Sequence, residues 1–142
     1  MEILYPVFGM IVLSGTMVAV LNVSRIPGIV RFWGNLQMAK HSEELWSRLT
    51  PGKRYITDNH NHLFEQPTLF YALTVYLYLA QHVDATHIFL AWLYVALRTV
   101  HTLIQTTTNN VSLRAPVFIL SGVCMLIMIV RELLVVLNIQ IV

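Results

Sequence analysis

The chain is short of charge. Asp, Glu, Lys and Arg make up 11% of its 142 residues, where soluble proteins carry about 25%. With 56% hydrophobic residues the balance excludes an ordinary soluble domain and points to the membrane class. Cysteine is almost missing. Cys124 stands alone in an apolar run, which excludes an intrachain disulfide and suits a small buried hydrophobe. No Lys or Arg precedes the first apolar run, so the positive region of a secretory signal is lacking and the first span is expected to be retained. The net charge is only +2 and the cations form no stripe, which argues against nucleic acid as a partner. Internal repeats and low-complexity segments are missing too.

What is present is a set of apolar runs close to the ~20 residues that a spanning helix needs. They place spans at about 3–23, 58–83, 86–107 and 116–137, with a cytoplasmic basic loop at 24–57. The second span requires an argument, because a helix starting at Pro67 would be too short to cross. It is therefore expected to begin near Thr57 or Asp58, either of which suits an N-cap. Pro67 then lies inside the helix, removes a bond to the Leu63 carbonyl and bends it one turn from its entry. Pro116 suits the first turn of the fourth helix. The expected fold is all-α, a single integral-membrane four-helix bundle covering residues 1–142. Small residues Gly9, Ser14, Gly15 and Thr16 in the first span, and Ser121 and Gly122 in the fourth, allow close helix contact.

Six of the nine Lys and Arg residues fall between Arg25 and Arg54, the 82–85 link has none, and the third link has Arg114. By the positive-inside rule the first and third links are cytoplasmic and both termini face the other side. The Asn22–Ser24 and Asn110–Ser112 glycosylation patterns would then be cytoplasmic and are read as chance. Trp33, Trp46 and the charges between them could form an interfacial helix. Tyr71, Tyr76, Tyr78, Trp92 and Tyr94 read as packing and interfacial anchors.

Polar residues interrupt the apolar runs, and ionisable groups at hydrocarbon depth mark a site by default. Asn61, His62 and Glu65 share a face at the cytoplasmic entry of the second span. Arg98, His101 and Gln105 form a polar stripe in the third. Arg98 is the deepest of these, and Glu65 is its expected ion-pair partner. Arg114, Arg25 and Arg31 sit at the same level, so cations outnumber Glu65 around one cavity. Such an excess of donors implies a missing anion, which a ligand with carboxylates would supply. His60 and His62 point apart on a helix and do not suit zinc. His87 and His101 share a face, but Tyr76 stands where a second histidine pair would need its partner. One haem between His62 and His101 is the remaining cytochrome reading. Arg131 and Glu132 have no evident partners.

At these residues the chain resembles the superfamily of membrane-associated proteins in eicosanoid and glutathione metabolism (MAPEG), and its bacterial members most. The likeness is carried by Asn-His-Asn-His-Leu-Phe-Glu-Gln-Pro-Thr-Leu-Phe-Tyr at 59–71, Arg98-Thr-Val-His101-Thr and Leu113-Arg-Ala-Pro116, in that order along four spans. The resemblance implies a homotrimer in a bacterial cytoplasmic membrane, with glutathione bound between subunits near the cytoplasmic leaflet. The family's glutamate, arginine and histidine for the tripeptide map onto Glu65, Arg98 and His101. The chain departs from the family at His62, where an asparagine is usual, at Gln105 for a tyrosine, and at Val117-Phe118, where the eicosanoid-type synthases carry a thiolate-stabilising arginine.

Together these imply a glutathione-dependent transferase or peroxidase acting on a lipophilic small molecule that enters from membrane lipid. Glutathione is the co-substrate, Arg98 or Arg114 its thiolate stabiliser, and Asn61, His62, Glu65, Arg98, His101 and Arg31 its binding residues. The alternative is a non-catalytic lipid- or partner-binding scaffold with the same fold.

Overall fold

A computed structural model of the chain describes residues 1–33 and 49–138, with side chains of the first stretch described as far as Pro27. Arg31 and Trp33 therefore lie outside the described side chains, and Lys40, Trp46 and Arg48 outside the described residues. Among the described residues four helices run in order: α1 Leu4–Trp33, α2 Pro51–Ala80, α3 Ala85–Thr106 and α4 Val111–Val136. α1 passes the expected end at 23 and carries Pro27 inside it, since a single proline costs a helix one bond without ending it.

α2 starts earlier than expected. Thr50 is extended and Pro51 occupies the first turn, where its fixed φ favours helix and its missing N–H is no loss. Thr57 is interior, its hydroxyl donating back to the Lys53 carbonyl over 3.0 Å. The helix ends at Gln81, left-handed at φ 61°, whose N–H and that of His82 donate to the Tyr78 and Leu77 carbonyls. Asp84 caps α3 by accepting from the His87 N–H over 2.8 Å. Asn110 caps α4 in the same way, accepting from the Ser112 N–H over 3.0 Å. That cap moves the start of α4 upstream, so Pro116 lies inside the helix instead of in its first turn.

α1 packs mainly on α2, and α3 on α4. The shared core holds Met10, Phe70, Leu77, Tyr94 and Met128, with the Phe70 and Tyr94 rings stacked at 4.4 Å. Of the small residues, Gly9 faces Trp92 and Val95, and a Cβ at Gly122 would stand 3.0 Å from Gln66 Nε2. Ser14 lies 3.3 Å from the Tyr71 hydroxyl, and Ser121 is fully buried beside Gln66. Gly15 and Thr16 make no such contact.

α1 over Leu4–Pro27, α3 and α4 are long and apolar enough to cross a membrane. α2 is not among them, because Asp58, Asn59, His60, Asn61, His62, Glu65 and Gln66 interrupt its apolar run. At the α2–α3 end of the bundle, Arg131 and Glu132 find the partners that local spacing could not show. Arg131 pairs with Asp84, and Glu132 lies 2.8 Å from His82 Nδ1. One turn of α4 thus clasps both ends of the α2–α3 connection.

Candidate functional site

The buried positions of α2 are Thr57, Asn59, Leu63, Pro67, Phe70, Thr74 and Leu77. Glu65 is two residues from both Leu63 and Pro67, a turn of about 200° around the helix, and so points away from the bundle. Asn61 is offset from Asn59 and Leu63 in the same way. Both are exposed, and His62 between the two faces is half-buried. The expected Glu65–Arg98 ion pair is accordingly not formed within the protomer; the helical phase set by Leu63 and Phe70 turns the carboxylate outward.

Arg98 is fully buried. Its Nη2 donates to the His62 backbone carbonyl over 3.2 Å, one residue before the Leu63 carbonyl that Pro67 leaves without a helical donor. Its Nε and Nη1 have no hydrogen-bond partner among the described residues. The guanidinium lies 4.9 Å from the Phe118 ring centroid and 5.7 Å from that of Tyr94. Phe118 therefore fills the place beside Arg98 with an aromatic face.

One turn on, His101 is held at both ring nitrogens, by the Arg114 carbonyl at 3.1 Å and by Gln105 Oε1 at 3.0 Å. Its ring stacks on that of His62 at 6.2 Å and leans on Phe118 at 5.4 Å. His62, His101, Arg114 and Phe118, with Val111, Ala115 and Ile119, line a cavity of ≈ 200 Å³. The structure thus brings His62, Arg98, His101 and Arg114 together and leaves Asn61 and Glu65 on the outer face.

The haem reading finds no support in this arrangement: both nitrogens of His101 are already engaged within the protomer, at the Arg114 carbonyl and the Gln105 amide. His60 tilts against Phe64 at 4.7 Å while His62 turns to His101, so the two histidines diverge.

Two residues outside the expected binding set hold the site together. Asn59, fully buried, donates to Gln105 Oε1 over 3.0 Å and to the Thr102 hydroxyl over 3.3 Å, tying α2 to α3. Gln105 then passes the link to His101, and His101 passes it to α4 through the Arg114 carbonyl. The signal for Asn59 was its phase, four residues before Leu63 on the buried face.

No curated protein and no solved structure matches the chain. The model of the MAPEG family matches residues 3–134, nearly the whole chain. The four packed helices of the described residues, three of them fit to cross a membrane, agree with that match. The chain is an integral membrane protein and belongs to the MAPEG family.

Proposed function

We propose that this protein is a glutathione-dependent transferase or peroxidase acting on lipophilic electrophiles, with glutathione bound between the subunits of a homotrimer near the cytoplasmic leaflet. Membership of the family supports a membrane glutathione-related transferase- or peroxidase-like function in general. The observation that carries this reading is Arg98: a fully buried guanidinium with two nitrogens unpaired among the described residues. A buried charge without a partner is costly, and an anionic ligand would relieve it.

The outward stripe of Asn61 and Glu65 supports a site completed by a second copy. A carboxylate on the outer face of a membrane helix needs cover, and the protomer's own cavity, ≈ 200 Å³, is below the ~300–1,000 Å³ usual for ligand pockets. In this reading α2 is the fourth span. Glu65 grips the glutathione amine, and Asn61, His62, His101 and Arg31 hold its remaining polar groups. Arg98 or Arg114 favours the thiolate of a thiol whose unperturbed pKa is roughly 8.5. The second substrate enters laterally from lipid.

A second reading rests on Phe118. Its ring covers Arg98 where an arginine would stabilise a thiolate, which favours a binding scaffold without catalysis. Purified protein separates the two. Saturable glutathione binding followed by conjugation of a generic aromatic electrophile supports the enzyme; binding without turnover supports the scaffold; no binding removes both glutathione roles.

A further inference from the structure

The Arg114 backbone carbonyl can only accept, so it fixes a proton at His101 Nδ1, while the proton at Nε2 follows the end of the Gln105 amide that faces it. With the Arg114 carbonyl at Nδ1 and Gln105 Oε1 turned to Nε2, both ring nitrogens donate and the ring of this arrangement is an imidazolium. Gln105 Oε1 accepts a second bond from Asn59 Nδ2, which also donates to Thr102 Oγ1. Asn59 Oδ1 and Gln105 Nε2 are buried without partners among the described residues. Asn59 and Gln105 are fully buried and Thr102 nearly so.

The same heavy-atom positions admit a second arrangement, because the oxygen and nitrogen of an amide are interchangeable in shape. A half-turn of both amides lets Gln105 Nε2 donate to a bare His101 Nε2 and to Asn59 Oδ1, while the Thr102 hydroxyl donates to Asn59 Oδ1. The Nδ1–H stays on the Arg114 carbonyl, and the ring is neutral. Turning Gln105 alone would set donor against donor, and turning Asn59 alone would set acceptor against acceptor. The two amides therefore turn together or not at all, and the proton at His101 Nε2 decides which.

The charged neighbours decide when that proton is present. On α3, Arg98 is one turn away; on α2, the His62 ring is 6.2 Å from His101; on α4, Arg114 lines the same cavity. Among the described residues, neither Asp58 nor Glu65, the carboxylates on this half of α2, pairs with any of them. An imidazolium beside Arg98 is balanced only when an anion is present.

We propose that His101 is a proton switch for this anion site: an anion entering beside Arg98 is bound together with a solvent proton at His101 Nε2, and that proton reverses the polarity of the Gln105–Asn59–Thr102 chain. Only the identity of the anion rests on the glutathione reading.

Two measurements test it. In the ligand-free protein with isotope-labelled histidine, magnetic resonance should show His101 keeping its Nδ1–H and gaining Nε2–H on acidification through the range, roughly pH 5 to 8, where imidazoles change charge. The Asn59 and Gln105 side-chain amide signals should move with the same midpoint. A ring that does not titrate, that gives up Nδ1–H first, or whose titration leaves the amides unmoved overturns the switch. Calorimetry with S-methylglutathione, which has no ionisable thiol, in two buffers of different ionisation enthalpy should show net proton uptake on binding. Uptake should vanish in His101→Gln and in Gln105→Glu, whose carboxylate keeps the ring charged beforehand. Binding to the native protein with no proton uptake overturns the switch as well. If S-methylglutathione does not bind, the ligand-free titration still decides the switch, and the glutathione reading alone falls.

Discussion

The Arg98 guanidinium rests on the Phe118 ring at 4.9 Å, joining α3 to α4 at the one fully buried cation among the described residues. A desolvated contact of this kind is worth about 2 kcal/mol. Phe118→Leu keeps an apolar side chain there and removes the π-face. Thermal unfolding in detergent should show a loss of about 1–2 kcal/mol, combining the contact with lost aromatic packing. Unchanged stability would mean that the ring does not support Arg98.

The clasp at the other end of the bundle gives a pH dependence. Burial alone would raise the Asp84 carboxyl, but the His87 N–H, the His87 ring and Arg131 outweigh it and hold the carboxyl below its ordinary value. A group depressed in the folded state contributes stability above its unfolded pKa, about 3.9 for Asp, and loses it as pH falls through the folded value. Unfolding temperature measured against pH should therefore drop at the acid end, and Asp84→Asn should flatten that limb. An acid limb identical in Asp84→Asn would assign the loss to other carboxylates.

Orientation is testable without ligand. The concentration of Lys and Arg between Arg25 and Arg54 predicts that Lys53→Cys is labelled only from the cytoplasmic side, and Thr86→Cys, in the first turn of α3, only from outside. Cys124 is buried and should not interfere. Labelling of Thr86→Cys from the cytoplasm would invert the arrangement.

The exposed Asn61 and Glu65 predict a partner surface. Light scattering corrected for detergent should give a trimer, and Glu65→Leu should alter glutathione affinity while leaving the protomer's helices intact. A monomer would remove the intersubunit site.

How far the residues alone lead is visible helix by helix. α1, α3 and α4 follow from apolar runs, because burial in lipid demands nearly unbroken hydrophobicity. The start of α2 does not: Thr57 and Thr50 can both cap, and the choice is made by Pro51, whose ring disfavours helix before it. Arg98, His101 and Gln105 share a face as their spacing requires, since that relation lies within one helix. Glu65 with Arg98 is a relation between helices, and it depends on the phase of α2, which Leu63, Phe70, Thr74 and Leu77 set against it. Arg131 with Asp84, and Glu132 with His82, join positions far apart in the chain, where spacing carries no signal.

We propose that Arg98, which has no carboxylate partner among the described residues, is held ready to receive glutathione. Replacing a buried, poorly paired ion by a hydrophobic side chain of similar volume is often neutral or stabilising, by about 1–4 kcal/mol. Arg98→Met should therefore fold at least as stably as the native protein in the absence of ligand. Equilibrium binding of glutathione to the two purified proteins is the direct test. The native protein should bind saturably and Arg98→Met should lose at least about tenfold in affinity, the equivalent of about 1.4 kcal/mol. Equal affinity in a folded Arg98→Met, or no binding by the native protein, would contradict the claim.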